Sequence, residues 1–249
     1  MNSYKTAVVR PTFREPALPS TVVDVEPTDS EFARELRVLK DRLSAMAERA
    51  SDQIATAMEA LTTQNDDLAR EVVRRDQAID NDENEIDKLA MEILLTRHPV
   101  ASDLRFVTMA LKFVADVERI GDLAVGIAKR SLELRPFSTV DWHGDLMNLA
   151  AMVQKNLHLA IESFVHRNID QARAVIRADD EIDRMNASLF AQLIAQVAAD
   201  PATVTRVLPL TSVSRYLERI GDHVQNLGEE VVFMVSAADV RHLPPSPTN

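Results

Sequence analysis

Apolar residues recur along most of the chain at the three- and four-residue spacing of amphipathic helices, in long stretches that stop where prolines fall. Phe113, Val117, Ile120, Ala124 and Ile127 make one such stripe, and Val213, Leu217, Ile220, Val224 and Leu227 make its counterpart 100 positions later. A proline inside a helix removes a backbone donor and crowds the preceding turn, so Pro99, Pro136 and Pro201 read as boundaries. Six helices are predicted, near 29–63, 66–97, 102–134, 142–166, 169–198 and 202–236. Pro209 falls inside the sixth, which predicts either a kink or a late helix start at that point.

The pattern repeats. When 57–80 is laid on 160–183 without a gap, 11 of 24 positions are identical, among them Asn65, Asp67, Val72, Asp76, Ile79 and Asp80. Further on, Glu118-Arg-Ile-Gly-Asp122 returns unchanged as Glu218-Arg-Ile-Gly-Asp222. The predicted fold is all-α: two tandem antiparallel three-helix bundles, spanning 29–135 and 141–236, with Trp142-His-Gly-Asp145 just past the linker. Residues 1–28, where Pro11, Pro16, Pro19 and Pro27 interrupt any period, read as a disordered or irregular arm, and 237–249 as a flexible tail.

Composition narrows the class. Five Gly, 4% aromatics and 46% hydrophobic residues in 249 suit long helices with a packed core and give strands little to work with. The absence of Cys rules out disulfides and thiolate metal sites, no apolar run is long enough to span a membrane, and the N-terminus lacks a secretory signal. The expected location is cytoplasmic. A formal net charge of -11 argues against nucleic acid as a partner and against direct binding to anionic lipid.

The acidic residues carry the candidate chemistry. Residues four apart on a helix sit about 40° from each other, so Glu118 and Asp122 share a face, as do Glu218 and Asp222. Both pairs point about 140–180° away from the apolar stripe of their helix, which predicts an outward aspect. The second helix of each repeat carries the same spacing in Asp76 and Asp80, continued by Glu83 and Asp87, and in Asp179 and Asp183. Antiparallel packing about a turn at Pro99 sets Asp80 level with Glu118 and Asp76 level with Asp122; a turn at Asp200 and Pro201 sets Asp183 level with Glu218 and Asp179 level with Asp222. Four carboxylates at one height repel unless a cation or a basic side chain lies among them, and all-oxygen sites suit magnesium, manganese, calcium or ferric iron. The competing reading is a solvated face on which Arg119 and Arg219 pair with the acids.

Catalytic signatures are missing. The six His form no ligand pattern, Glu-x-x-His does not occur, and His223 reads as a surface or packing histidine. Without a Gly-rich phosphate loop, a nucleophile elbow or clustered Ser, His and Asp, the chain does not read as a conventional enzyme.

The doubled Glu-Arg-Ile-Gly-Asp on the third helix of each repeat, with Arg97-His-Pro-Val-Ala-Ser-Asp103-Leu-Arg105 before the first, closely resembles the PhoU family of phosphate-signalling regulators over about 30–236. The resemblance implies a negative regulator of the phosphate-starvation response and modulator of phosphate uptake. Its expected partners are the ATPase subunit of the phosphate ABC transporter, a sensor histidine kinase and a second copy of itself, with membrane association only through those partners. It also implies divalent or trivalent ions (magnesium, manganese, iron or zinc) on acidic motifs, which fall here on Glu118, Asp122, Glu218 and Asp222 and on Asp76, Asp80, Asp179 and Asp183. The sequence departs from the family at Gly126, where Asn is usual and where Asn226 satisfies the pattern in the second copy, and at His98, where Gln is common. A first metal site weaker than the second, or completed differently, is expected. The alternatives to an adaptor are a metal-storage or metal-dependent hydrolytic protein, and a helical scaffold whose acids only solubilise it.

Overall fold

The computed structural model describes residues 30–134 and 143–238. The predicted arm at 1–28, nearly all of the tail at 237–249 and the linker around Pro136 to Trp142 lie outside the described residues. Six α-helices are described: α1 (Ser30–Thr63), α2 (Asp66–Arg97), α3 (Ala101–Leu134), α4 (His143–His166), α5 (Ile169–Ala199) and α6 (Val204–Ser236). No strand occurs among the described residues. Each set of three consecutive helices forms one antiparallel bundle, as the repeat predicts.

The first turn of each bundle shows why the repeat preserves particular residues. Gln64 and Arg167 take left-handed φ values of 53° and 49°, and the following Asn65 and Asn168 donate backbone N–H groups to the Ala60 and Ser163 carbonyls at 3.0 and 2.8 Å. This arrangement closes the helix end. The same asparagines then cap the next helix: Asn65 Oδ1 accepts from the N–H groups of Asp67 and Leu68 at 3.0 and 3.2 Å, and Asn168 Oδ1 from Asp170 and Gln171 at 3.1 and 3.2 Å. One residue whose backbone closes one helix and whose side chain caps the next contributes about 1 kcal/mol through its cap alone. The α5–α6 connection runs differently, through a single 3₁₀ turn at Pro201–Thr203 capped by Asp200, so α6 starts at Val204 and Pro209 lies in its second turn, buried and still helical. The start, two residues after the predicted 202, is set by this 3₁₀ turn; the helix runs through Pro209, so the late start expected at that proline does not occur.

Helices α3 and α6 form the centre of the molecule. Arg105 Nε donates to the Met234 carbonyl at 3.3 Å, Asp116 meets His223, and the ring of Tyr216 lies over Gly126, so the two helices run antiparallel. That register places Glu118 and Asp122 at about the level of Asp222 and Glu218. The bundles also meet through α1 and α4, where Lys40 Nζ donates to the Val165 carbonyl at 3.2 Å, and through Phe164, whose ring centroid lies 4.6 Å from Phe113 and 5.6 Å from Phe106. The apolar stripes predicted on α3 and α6 are fully buried from Phe113 to Ile127 and from Val213 to Leu227.

Candidate metal centre

Each acidic cluster sits where a glycine of the third helix of its bundle meets an isoleucine of the second. A Cβ added to Gly121 would lie 3.0 Å from Ile79 Cδ1, and one on Gly221 would lie 3.0 Å from Ile182 Cγ2 and 3.3 Å from Asp179 Oδ1. The glycine inside Glu-Arg-Ile-Gly-Asp thus lets an isoleucine of the neighbouring helix nest against the backbone and brings the acids of both helices together. Sequence reasoning missed this role, although the shared Gly and Ile of the two repeats were the available signal.

The close approach also corrects the predicted aspect of the acids. Glu118 and Glu218 point away from the apolar stripe of their helix, but the flanking α2 and α5 cover them, leaving their side chains only 17% and 16% exposed. Asp179 is buried outright, at 7% exposure. Asp122, Asp183 and Asp222 remain open to solvent. Each cluster is therefore a half-covered acidic cleft.

The predicted height match is present in both repeats. In the first, the Asp76 carboxyl is pushed up by burial and then by Asp80 and Asp122, against the pull of Lys129 and the Gln53 amide. The Glu118 carboxyl is raised by burial and by Asp122, Glu83 and Asp80, with Arg119 opposing. Glu83 and Asp87 are also raised, chiefly by burial. In the second repeat burial, followed by Asp183, Asp222, Asp180 and Glu218, pushes Asp179 up to about 7. Glu218 and Asp222 are raised mainly by burial and next by a neighbouring carboxylate, Asp222 for the one and Asp183 for the other.

Arginine answers only part of this charge. Arg119 reaches Glu118 at 3.4 Å and Asp122 at 3.1 Å, and Arg215 reaches Glu218 at 3.3 Å; each arginine is well exposed, so each pair is worth well under 1 kcal/mol. Asp179 Oδ1 and Glu218 Oε2 are buried without a hydrogen-bond partner. One ligand oxygen from each of Asp179, Asp183 and Asp222 lies within 4.8 Å of the others, about the span of opposed oxygens around a cation with bonds of 2.0–2.6 Å. No other trio of His, Asp or Glu among the described residues converges so closely. Orphaned carboxylate oxygens, close convergence and an all-oxygen donor set all fit a hard cation.

Asn226 does not join the acidic cluster of its own repeat. Its Nδ2 donates to Asp116 Oδ1 on α3 at 3.2 Å, and His223 Nδ1 meets the same oxygen at 2.6 Å. The repeat-equivalent positions are Tyr216 and Gly126, which pack ring on backbone, with a Gly126 Cβ falling 3.0 Å from Tyr216 Cε2. The departure from Asn at Gly126 is therefore a packing exchange across the α3–α6 interface, polar on one side and aromatic on the other. His223 is held in this interface, as its packing role predicts.

These features define a class: tandem three-helix bundles, each with an acidic cleft between its second and third helices. Known proteins of this class match closely. The PhoU domain family matches residues 43–131 and 146–231. The phosphate-specific transport system accessory protein PhoU homolog of Pseudomonas aeruginosa is 34% identical over 214 residues, covering 86% of this chain and 88% of that protein. The Escherichia coli phosphate-specific transport system accessory protein PhoU is 31% identical over 213 residues, covering 86% and 88%. The crystal structure of PhoU from Pseudomonas aeruginosa superposes with a TM-score of 0.80 at 33% identity, over 83% of this chain and 100% of that one. The chain belongs to the PhoU family. No helix among the described residues is long and apolar enough to cross a membrane.

Proposed function

We propose that this chain is an accessory regulator of phosphate transport that holds the phosphate-starvation response off when phosphate is plentiful. It acts as a helical adaptor in the cytoplasm, not as an enzyme, between the ATPase subunit of a phosphate ABC transporter and a sensor histidine kinase, and it pairs with a second copy of itself. The observation that carries this reading is family membership across both repeats, with relatives named as phosphate-specific transport system accessory proteins at 31–34% identity.

The acidic clefts supply the structural part of the role. A metal ion held by Glu118, Asp122, Asp76 and Asp80, and another by Glu218, Asp222, Asp179 and Asp183, would clamp α2 to α3 and α5 to α6 and remove the repulsion that the clefts otherwise carry. The support is the pair of orphaned oxygens, on Asp179 and Glu218, and the convergence of Asp179, Asp183 and Asp222. Magnesium, manganese and iron suit such oxygen ligands.

The test is a reporter driven by a phosphate-starvation promoter, read in high phosphate, in a bacterium that lacks its own PhoU and carries the cognate transporter and kinase of this chain. The wild-type chain is expected to silence the reporter. Expression that stays high with folded chain present would sink the regulatory reading.

A further inference from the structure

The two acidic clefts differ behind their first row of carboxylates, and the difference centres on α1. Gln53 projects from α1 toward the α2–α3 cleft, is 4% exposed, and has both amide atoms buried without reaching hydrogen-bond geometry to any partner. Its Oε1 lies 3.4 Å from the position of a Gly121 Cβ, and its amide lies alongside the Asp76 carboxylate. A buried amide with no settled partner is uncommon, because desolvation is costly when no hydrogen bond replaces water. Here it faces an acidic cluster.

The repeat counterpart of Gln53 is Asn156, one methylene shorter. Its Nδ2 donates to the Val175 carbonyl at 3.1 Å, so it is committed to the α5 backbone. Asp179 Oδ1, by contrast, is buried without a hydrogen-bond partner among the described residues. A second difference runs the same way: Lys129 favours the charged form of Asp76, whereas its counterpart is Glu229, and the strongest influences on Asp179 after burial are carboxylates.

We propose that Gln53 is the positioning residue of the first cleft, holding Asp76 toward a bound cation, and that the second cleft works without one. Donation from the amide to one oxygen of Asp76 fixes the carboxylate rotamer and leaves its other oxygen for the ion. Groups behind the ligands commonly set metal affinity in this way. The first cleft is thereby a site preset by an amide behind its ligands, and the second a site assembled from carboxylates alone. The inference rests on the metal reading of both clefts.

Manganese(II) binding by the full chain tests it, in two backgrounds that each keep one cleft. Asp179→Asn with Asp222→Asn leaves the first, and Asp76→Asn with Asp122→Asn leaves the second. Gln53→Met, similar in length and apolar, is expected to weaken manganese binding about 10- to 100-fold where only the first cleft remains and to leave the second unchanged. Gln53→Asn keeps an amide but withdraws it by one methylene, and is expected to give the same loss. Melting in chelator separates positioning from folding, since Gln53→Met removes a buried amide without a settled partner and the metal-free variants should melt at or above their parents. Equal losses in both backgrounds, or unchanged manganese affinity at the first cleft, would overturn the assignment of Gln53. Failure of the unsubstituted chain to bind manganese at either cleft would overturn the metal reading and this inference with it.

Discussion

Asp179 is the position where the acidic clefts make the sharpest energetic demand. It is 7% exposed, one of its oxygens has no partner, and its carboxyl is pushed up to about 7 from 3.8. Between those two values the folded chain keeps a proton that the unfolded chain has released. Unfolding therefore releases protons in that window, and stability falls as pH rises through it. The full drop is about 4 kcal/mol, at 1.36 kcal/mol for each unit of the difference. Asp179→Asn removes the titration while keeping the shape. In chelator at pH 8 the Asn variant should be more stable than wild type by up to about 4 kcal/mol; at about 2 °C per kcal/mol for a chain of this size, that is a melting temperature about 8 °C higher. Near pH 4 the two should melt together. Added manganese should reverse the order at pH 8, because the wild type then gains a ligand that the variant lacks. Thermal melting by circular dichroism at both pH values, with chelator and with manganese, reads all of this. An Asn variant that melts with or below wild type in chelator at pH 8 would refute the claim that Asp179 carries an uncompensated buried charge.

Three further substitutions test the packing within the second bundle and between the two bundles. A Cβ on Gly228 would fall 3.0 Å from the Ala172 carbonyl oxygen, a backbone atom that cannot rotate away. Gly228→Ala should destabilise by about 1–3 kcal/mol despite the gain of about 1 kcal/mol that Ala brings to a helix interior, and a variant as stable as wild type in urea would count against the tight α5–α6 approach. Gly126→Asn should clash with the Tyr216 ring, and adding Tyr216→Asp should restore stability by recreating the Asp116–Asn226 pair on the other side. A double-mutant cycle with coupling of at least about 1 kcal/mol is expected, and additive effects would contradict the exchange.

The helices were legible because two signals agree: apolar residues at helical spacing and prolines at the breaks. Predicted ends fall within a residue or two of those in the structure, and the departure at α6 arises from a 3₁₀ turn that Asp200 caps. The meeting of Asp76 with Asp122 and of Asp179 with Asp222 followed from counting along two antiparallel helices, because a short turn fixes the register. The depth of the clefts did not follow. Angles about one helix axis give the direction of Glu118 but not the nearness of α2, which Gly121 and Ile79 set together. Nor did the roles of Asp116, Asn226 and Gln53, which depend on which helices face each other across the centre. A repeat reveals equivalent positions, and the structure shows where equivalence ends, as at Gln53 against Asn156.

The most direct test of the account is anomalous diffraction from crystals of the chain grown with manganese(II). The account predicts two peaks, one ringed by Glu118, Asp122, Asp76 and Asp80 and the other by Glu218, Asp222, Asp179 and Asp183. Crystals that show the same fold with neither cleft holding a peak at saturating manganese would contradict it.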